Sequence, residues 1–559
     1  MKEEAEEYTG FKALYLAALD SNVSLIIGVP GYPITSLMEL FLEKAGGTEL
    51  SEAKTKIFEA GNSEKAHIPT YSARWFTNEK VAMETALGAS VSGRRALVLV
   101  KHVGMNLLSD PLITSVTHTI GAGLVVIVGD DPGVKGSQNE QDSRWYGRIA
   151  EIAVFDPADA DAAYRALRRA YELSEETRTP VVLRITAGLG KNKGKIKRLP
   201  RSLAPHPEFD RSIWKNRMTE KHQIFHSRVY PLLETEAENT DLNKIILREG
   251  KGTESGSGSA RIGIISSGFV SSIVEKILKK RDPDREVPHL ALNLVNPLPL
   301  GKIGAFLKNN QKVLVAEESE PFIEEQIRIA GRVYGKKTGH LPYGQVMPED
   351  IEFALENIEE ERVSNPADTA FLKTGKNSRA TICDNCPYLP LYHFLSTLDV
   401  RVAGDMGCSV RSAPEPLAAV DVSFALGSAI SVACGFEKKG IAVIGDFALA
   451  HSGILGLISA ATEGCNVLVL VLQNETAAMT GGQKAPDLRK VVESITPDVS
   501  VFDVDANKGN SANRTETEKE IKCKVGKQIL DSELLELIRK KIALPGISVI
   551  FIKGKCRKY

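Results

Sequence analysis

Residues 441–482 read "IAVIGDFALAHSGILGLISAATEGCNVLVLVLQNETAAMTGG", a pattern that predicts a buried strand, a helix and a second buried strand. The first strand ends beside Asp446, the helix runs from about His451 to Glu463, and the second strand ends beside Asn474. In a right-handed βαβ unit the carboxyl ends of both strands lie at the same edge of the sheet. We therefore expect Asp446 and Asn474 to be neighbours at the edge where open α/β sheets bind ligands.

These two residues offer a carboxylate and an amide oxygen, and the main-chain carbonyl of Thr476 adds a third oxygen. Mg²⁺ prefers such a set, completed by diphosphate oxygens and water. Gly445 would let the backbone approach phosphates, and the "TGG" segment offers amide donors. Alternatively, Asp446 and Asn474 are ordinary turn residues at strand ends. The Gly-Asp pair and the spacing of 28 residues to Asn474 resemble the thiamine diphosphate motif.

Thiamine diphosphate also requires a carboxylate that protonates N1′ of its aminopyrimidine ring. Glu79, in "FTNEKVAMETALGAS", is the candidate, because it stands at the start of a predicted helix whose apolar face would pack on a sheet. A glutamate at a helix N-terminus is also common for a simpler reason, since the helix dipole stabilises its charge. Spacing alone leaves both interpretations open.

The length permits a large enzyme, and the composition implies no whole-chain electrostatic attraction to nucleic acid or to an anionic membrane, so we expect neither as a partner. The chain has 559 residues, enough for about three or four domains, and a formal net charge of −1. Its apolar runs are shorter than a membrane span, and the acidic start "MKEEAEEYTG" is unlike a signal peptide, so we expect a cytoplasmic protein. The seven cysteines, irregularly spaced, argue against a disulfide framework.

Strands and helices alternate in three regions, which predicts three α/β domains with parallel sheets. The first covers residues 1–190, the second 261–360 and the third 361–559. Residues 191–260 are expected to be a linker region that ends in the Gly/Ser tract "GKGTESGSGSA".

Ordered matches along nearly the whole chain resemble one known family. They are "GYPIT", "NEKVAMETALGAS", "KHVGMN", "DDPGVKGSQNEQDSR", "GIISSG", "VLVAEESEPFIEEQ", "DMGCS", "GDFALAHSG" and "NETAAMTGGQ". The sequence resembles the large (α) subunits of indolepyruvate:ferredoxin oxidoreductases, within the 2-oxoacid:ferredoxin oxidoreductase superfamily.

The resemblance implies a pyrimidine-binding domain, a transketolase-C-terminal-like domain and a diphosphate-binding domain, in that order. It implies oxidative decarboxylation of a 2-oxoacid, with an aryl pyruvate such as indolepyruvate as the favoured substrate. Coenzyme A would take the acyl group and ferredoxin the electrons. A small β- or γ-type subunit would complete a hetero-oligomer. The implied catalytic residues are Thr35 and Glu79, and Glu79 is also an implied cofactor contact. The other implied cofactor contacts are Gly427, Gly445 and His451, and the implied magnesium ligands, which also contact the cofactor, are Asp446, Asn474 and Thr476.

Cysteines are the third candidate feature. The resemblance implies that a 4Fe-4S cluster is held by four of them, which are Cys383 and Cys386 of "CDNCP", Cys408 of "DMGCS" and Cys556 of "FIKGKC". A redox-silent zinc site with the same ligands and unligated core thiols are the alternatives. We interpret Cys434 and Cys465 as core thiols and assign no role to Cys523.

Two departures from the family pattern keep other functions open. The printed sequence contains no ferredoxin-like C-x2-C-x2-C-x3-C-P run, and Tyr388 and Leu389 stand where the family has a His-Arg pair. A non-oxidative thiamine-dependent decarboxylase and a catalytically silent subunit with the same fold are therefore the alternative functions.

Overall fold

The computed structural model describes residues 6–44, 71–201, 207, 209–246, 260–281, 287–368, 381–505 and 532–559. The chain forms two compact units, Met1–Gly375 and Lys376–Tyr559. The Gly/Ser tract and Cys523 lie outside the described residues. In the part that the structure describes, no helix is both long enough and apolar enough to cross a membrane.

The described residues of the first unit form three sheets and the helices that cover them. Its strands are β1 (Glu6–Thr9), β2 (Leu25–Gly28), β3 (Ser72–Trp75), β4 (Ala96–Lys101), β5 (Leu124–Asp130), β6 (Val154–Phe155), β7 (Val181–Thr186), β8 (Lys193–Ile196), β9 (Lys244–Ile246), β10 (Ala260–Ser267), β11 (His289–Leu292), β12 (Leu294–Asn296), β13 (Asn310–Ala316) and β14 (Val333–Tyr334). Its α-helices are α1 (Gly10–Asp20), α2 (Ile34–Lys44), α3 (Glu79–Val91), α4 (His102–His118), α5 (Arg144–Ala150), α6 (Ala160–Thr177), α7 (Ala187–Lys191), α8 (Met218–Ile224), α9 (Tyr230–Asn239), α10 (Phe269–Arg281), α11 (Leu300–Asn309), α12 (Phe322–Ile327) and α13 (Pro348–Glu356). A 3₁₀ turn (Arg211–Lys215) and a π turn (Phe225–Val229) complete it.

Its largest sheet has the strand order β12-β6-β7-β5-β4-β2-β3 and is parallel except where β12 meets β6. The second sheet has the order β14-β13-β10-β11-β9 and is parallel except for β9. Strands β1 and β8 form a separate antiparallel pair. Every residue of β5 is buried, as expected for a parallel strand covered on both faces.

The structure adds detail to the predicted domain boundaries, which remain predictions. Strand β12 belongs by sequence to the predicted middle domain, yet it pairs with β6 of the first sheet. Part of the predicted linker is helical, since α8, the π turn and α9 follow one another without a break.

The second unit contains one parallel sheet with the order β15-β16-β17-β21-β20 and a short hairpin, β18-β19. Its strands are β15 (Val402–Gly404), β16 (Gly440–Gly445), β17 (Val467–Gln473), β18 (Thr476–Ala477), β19 (Gln483–Lys484), β20 (Val499–Asp503) and β21 (Ile547–Lys553). Its α-helices are α14 (Leu389–Leu395), α15 (Ala429–Cys434), α16 (Asp446–Ala448), α17 (Ile454–Glu463), α18 (Arg489–Ile495) and α19 (Ser532–Ala543), with a 3₁₀ turn (Cys408–Ser412) and a π turn (Leu449–Gly453).

The strand-helix-strand arrangement predicted around residues 441–482 is present. Strands β16 and β17 are parallel neighbours in which Gly445 is level with Leu472. The helix between them begins at Asp446, five residues before the predicted start, because α16 and the π turn run into α17 without interruption. Asp446 is therefore the first residue of a helix as well as the end of a strand.

Candidate functional site

In the first unit, three adjacent strands, β4, β2 and β3, deliver candidate residues to their carboxyl edge. Thr35 lies in the first turn of α2, where its hydroxyl donates to the Gly31 carbonyl and accepts from the Gly31 amide, both at 3.0 Å. A Cβ at Gly31 would stand 2.6 Å from Cδ of Lys101. A larger residue there would displace the Lys101 side chain, which lies against the segment that carries Thr35.

Glu79 is the first residue of α3 and is only 3% exposed. The helix is capped by Asn78, whose side-chain oxygen accepts from the amides of Lys80 at 2.9 Å and Val81 at 3.3 Å. Helix α4 approaches the carboxylate so closely that a Cβ at Gly104 would lie 2.7 Å from Glu79 Oε1. A buried carboxylate at a helix N-terminus is stabilised by the free amides and the helix dipole. Glu79 therefore occupies the buried helix start that its sequence context predicts.

The loop "SQNEQDSR" packs on the start of α4, a contact that sequence reasoning did not assign. The buried His102 ring places Nε2 3.0 Å from the Asn139 carbonyl oxygen, and its Nδ1 has no hydrogen-bond partner among the described residues. Lys101 Nζ donates to Gln138 Oε1 at 3.3 Å, and Gln141 Nε2 donates to the His102 carbonyl at 3.1 Å. A histidine directly after a buried strand is the sequence feature that could have drawn attention to this position.

The end of the same loop enters a fully buried network of charges. Arg144 donates from Nε to Asp142 at 2.9 Å and from an Nη atom to Glu317 at 2.8 Å. Arg184 donates to Asp130 at 2.6 Å and to Asp156 at 3.2 Å. We call these six residues the arginine network.

One further acid lies beside the arginine network. Burial raises the pKa of Glu318 to about 7, although the positive charge of Arg184 opposes that rise. Its Oε2 atom has no hydrogen-bond partner among the described residues. Glu318 is thus a buried acid that the arginines do not fully compensate.

In the second unit, Asp446 is 5% exposed and accepts two main-chain hydrogen bonds. Its Oδ1 accepts from the amide of Phe447 at 2.8 Å and its Oδ2 from the amide of Glu475 at 2.6 Å. Burial raises the pKa of Asp446 to about 6, and these backbone donors offset part of the rise. The second bond joins the end of β16 to the segment after β17, so Asp446 and Asn474 are neighbours as the βαβ unit predicts.

The segment after β17 forms a tight hairpin. Asn474 Oδ1 accepts from the amide of Thr476 at 3.0 Å, and Glu475 takes a left-handed backbone conformation with φ 62°. Strands β18 and β19 then pair antiparallel, with Gly481 and Gly482 in the turn between them. Asp446 thus supplies one of the three predicted magnesium ligands, and the short segment from Asn474 to Thr476 supplies the other two.

Two more predicted cofactor contacts, Gly427 and His451, lie near Asp405. This aspartate is the first residue of "DMGCS", and the sequence analysis gave it no role. The Gly427 amide donates to Asp405 Oδ1 at 2.9 Å. Burial raises the pKa of Asp405 to about 6, while backbone donors and the charge of His451 lower it. His451 Nδ1 lies 3.1 Å from Ser452 Oγ.

These residues fit a magnesium-bound diphosphate. Within the described residues, neither Asp405 nor Asp446 forms an ion pair with a lysine or arginine, although both are buried. A Cβ at Gly445 would meet no heavy atom within 4 Å, so open space faces the end of β16. Buried carboxylates without a cationic partner are costly, and a bound cation would compensate them.

The four cysteines proposed as cluster ligands influence one another electrostatically. Burial raises the pKa of Cys386 to about 12, and Cys408, Cys383 and Cys556 raise it further. Burial likewise raises the pKa of Cys408 to about 11, with added contributions from Cys556 and Cys383. Thiols from three segments far apart in sequence therefore lie in one region, and their binding of a cluster stays a prediction.

Tyr388, the substitution noted in "CDNCPYL", joins two of those segments. Its buried hydroxyl donates to the Gly554 carbonyl at 2.8 Å, so the residues after Cys386 are tied to the chain just before Cys556. Nearby, the hydroxyl of the buried Tyr392 has no hydrogen-bond partner among the described residues. An unpartnered donor beside these thiols is consistent with a group bound by them.

Cys434 and Cys465, interpreted from sequence as separate core thiols, are neighbours. Burial raises the pKa of Cys434 to about 12, and a hydrogen bond with Cys465 raises it further. Both pack at the edge of the apolar core beside the parallel sheet of the second unit. They lie outside the proposed ligand set.

Comparisons with known proteins show what this chain is similar to. Residues 405–550 match the family model described as "Thiamine pyrophosphate enzyme, C-terminal TPP binding domain". Indolepyruvate oxidoreductase subunit IorA of Methanothermobacter thermautotrophicus is 29% identical over 86% of this chain and 76% of its own length. The IorA subunit of Thermococcus kodakarensis is 28% identical over 98% of this chain and 85% of its own length.

Among solved structures, 2-oxoglutarate:ferredoxin oxidoreductase from Magnetococcus marinus aligns with a TM-score of 0.46 and 14% identity. That alignment covers 64% of this chain and 65% of the other. The chain is therefore an oxidoreductase that is similar to IorA subunits of indolepyruvate oxidoreductases over up to 98% of its length, and its residues 405–550 match a thiamine pyrophosphate-enzyme domain.

Proposed function

We propose that this chain catalyses the thiamine diphosphate-dependent oxidative decarboxylation of a 2-oxoacid, an aryl pyruvate such as indolepyruvate, to an acyl-CoA, with electrons passed to ferredoxin. The observation that carries the proposal is the buried Asp446 carboxylate at the end of β16, beside Asn474 and open space. The IorA relatives support the oxidoreductase part of the proposal. Coenzyme A, ferredoxin and a small partner subunit are inferred by analogy with the family.

Asp446, Asn474 and Thr476 would hold Mg²⁺ and, through it, the diphosphate group of the cofactor. The first two offer side-chain oxygens and the third its main-chain carbonyl, which is the hard oxygen set that Mg²⁺ prefers. Gly445 would leave room for the phosphates, and the glycine turn between β18 and β19 would offer amide donors.

When bound, thiamine diphosphate supplies the carbon nucleophile and the electron sink for decarboxylation. Glu79 would hold a proton at N1′ of the aminopyrimidine ring, and its burial keeps water from competing for that contact. Thr35, whose hydroxyl is oriented by both polar groups of Gly31, would face the 2-oxoacid. These roles follow from the family resemblance and from the positions of both side chains at strand ends.

Cys383, Cys386, Cys408 and Cys556 would bind a 4Fe-4S cluster that accepts electrons one at a time. A redox-silent zinc site with the same four ligands and unligated core thiols are the alternatives, and the iron and sulfide content of the protein separates them from a cluster.

The first experiment measures iron, acid-labile sulfide and product. Protein purified without oxygen, together with its partner subunit, should contain about four irons and four sulfides per chain and should convert an aryl pyruvate to the acyl-CoA. Cys386→Ser should lose the iron, whereas Cys465→Ser should retain it. Aldehyde formation by iron-free protein would instead indicate the non-oxidative decarboxylase, and failure to bind thiamine diphosphate would indicate a silent subunit.

The second experiment tests Glu79. Glu79→Gln removes the carboxylate but keeps the side-chain shape, so turnover should fall by at least about 100-fold while thiamine diphosphate still binds. Glu84→Gln, an exposed position on the same helix, is the matched control and should retain full turnover. Unchanged turnover in Glu79→Gln would refute the proposed role.

A further inference from the structure

A second cluster of ligating side chains lies outside the proposed site, in the first unit. The cluster consists of Glu151, His222 and His226, which place one ligand atom each within 4.8 Å of one another. Among the described residues, no other group of three His, Cys, Asp or Glu side chains has this spacing. His226 Nε2 is 3.3 Å from Glu151 Oε2 and 3.2 Å from His222 Nε2. Glu151 directly follows α5, His222 lies in α8, and His226 lies in the π turn.

These separations match the edges of a tetrahedral zinc site. Zinc binds imidazole nitrogen at about 2.0–2.1 Å and carboxylate oxygen at about 2.0–2.2 Å, which places two ligand atoms roughly 3.3–3.4 Å apart. Two histidines four residues apart project from one side of a helix, a common way of presenting a pair of ligands. We propose that Glu151, His222 and His226 bind a divalent transition-metal ion, with zinc as the expected occupant and water in the fourth position.

The backbone on both sides of the cluster is well anchored. Phe225, next to His226, is buried in the core of the first unit, and its ring meets the His226 ring edge-on at 5.2 Å. On the other side, the Glu151 amide donates to the Gly147 carbonyl and so caps α5. Ligands on fixed elements lose little conformational freedom on binding a metal.

The consequence of binding would be structural. The ion would join the end of α5 to the helical segment formed by α8 and the π turn. Because α5 begins with Arg144, the arginine network would hold the first end of this short helix and the ion would hold the other. The inference does not depend on the proposed function, since none of these ligands belongs to the cofactor site.

An ordinary polar contact is the competing explanation. The same distances would arise if protonated His226 paired with Glu151 and one imidazole donated a hydrogen bond to the other. A metal ion differs from this contact in a measurable way, because it adds one equivalent of bound zinc that depends on both histidines.

The experiment measures zinc bound by full-length protein after chelation and dialysis, with excess Mg²⁺ present. Wild type and Gln223→Ala, an exposed neighbour on the same helix, should bind one more equivalent of zinc than the His222→Ala/His226→Ala double variant. The difference should persist when Cys386→Ser is added to each protein, which separates this site from the cysteines. His222→Ala alone should weaken zinc binding by at least about 100-fold, since even outer-shell changes cost 10–100-fold.

Thermal unfolding gives an independent measurement. Zinc should raise the Tm of wild type and of Gln223→Ala but not that of the double variant. Equal zinc content, or an equal rise in Tm, in the folded double variant would overturn the proposal. Should the double variant fail to fold, Glu151→Gln replaces it and should likewise bind one zinc equivalent less than wild type. Equal zinc content or an equal rise in Tm in Glu151→Gln would then overturn the proposal.

Discussion

The two units bury carboxylates in opposite ways. In the first unit, Asp142 and Glu317 are paired with the fully buried Arg144. In the second unit, Asp405 and Asp446 are as deeply buried but accept hydrogen bonds from backbone amides, without an ion pair to lysine or arginine among the described residues. Buried charges that are matched within the protein stabilise its structure, whereas buried charges left unmatched indicate where an external cation binds.

The largest expected effect comes from breaking the matched region. Arg144→Met removes the cation but leaves Asp142 and Glu317 buried, so the free energy of unfolding should fall by about 3–5 kcal/mol. Urea denaturation followed by circular dichroism measures the change. Arg217→Met, which breaks an exposed ion pair, is the control and should change little. Equal effects of both substitutions would remove the basis of the comparison.

A smaller effect is expected from the unmatched region. Thiamine diphosphate with Mg²⁺ at 100 times its dissociation constant should stabilise wild type by about 2.7 kcal/mol. Asp446→Asn removes the charge that the cation compensates, so this gain, measured as a rise in Tm, should disappear. Glu463→Gln, an exposed position at the end of α17, should keep the full rise. A full rise in Asp446→Asn would show that the carboxylate does not hold the cation.

Glu318 sharpens the comparison because it is a buried acid that lies beside the arginine network but is not fully compensated by the arginines. Burial raises its pKa to about 7 from the usual 4.5, despite the nearby Arg184 and Lys336. Between these two values the unfolded chain releases the proton and the folded chain retains it, so stability falls as pH rises.

The corresponding test compares wild type with Glu318→Gln. From pH 5 to pH 7, wild type should lose about 2 kcal/mol more of its free energy of unfolding than the variant, which cannot ionise. Urea midpoints at several pH values measure both slopes. Parallel pH profiles would mean that Glu318 titrates normally.

The smallest change in stability is expected at Gly445. Its φ of −74° suits any residue and a Cβ there would meet no heavy atom, so Gly445→Ala should shift the Tm by less than about 2 °C. The same methyl group would occupy the open space beside Asp446, and cofactor affinity should fall by about 10-fold, or 1.4 kcal/mol. Isothermal titration calorimetry measures this affinity. Unchanged affinity would place the phosphates elsewhere.

Sequence patterns were sufficient for the features that depend on local periodicity. The run of apolar residues in β17 and the Gly-Asp end of β16 predicted two adjacent parallel strands, and both are present. The helix start was misplaced because a π turn joins α16 to α17, and no local pattern marks such a turn. Strand ends can thus be predicted from sequence more easily than the exact first residue of the helix between them.

The long-range contacts could not be predicted in the same way. Arg144 and Glu317 are separated by 173 residues, and nothing in their own neighbourhoods indicates that they pair. The contact between Cys434 and Cys465, and the convergence of Glu151 with His222 and His226, likewise depend on how helices pack. Such packing is set by the whole core, so it becomes visible only in the folded structure.

Strand β21 has a consequence for how the protein is made. It is the last strand of the chain, yet it lies between β17 and β20 and carries the segment held by the Tyr388 hydroxyl. During synthesis, β17 and β20 have no strand between them until β21 has been made. Closing the core and bringing Cys556 toward the other thiols are then one event, so a chain that lacks β21 would lose the stable fold and the proposed cluster site together.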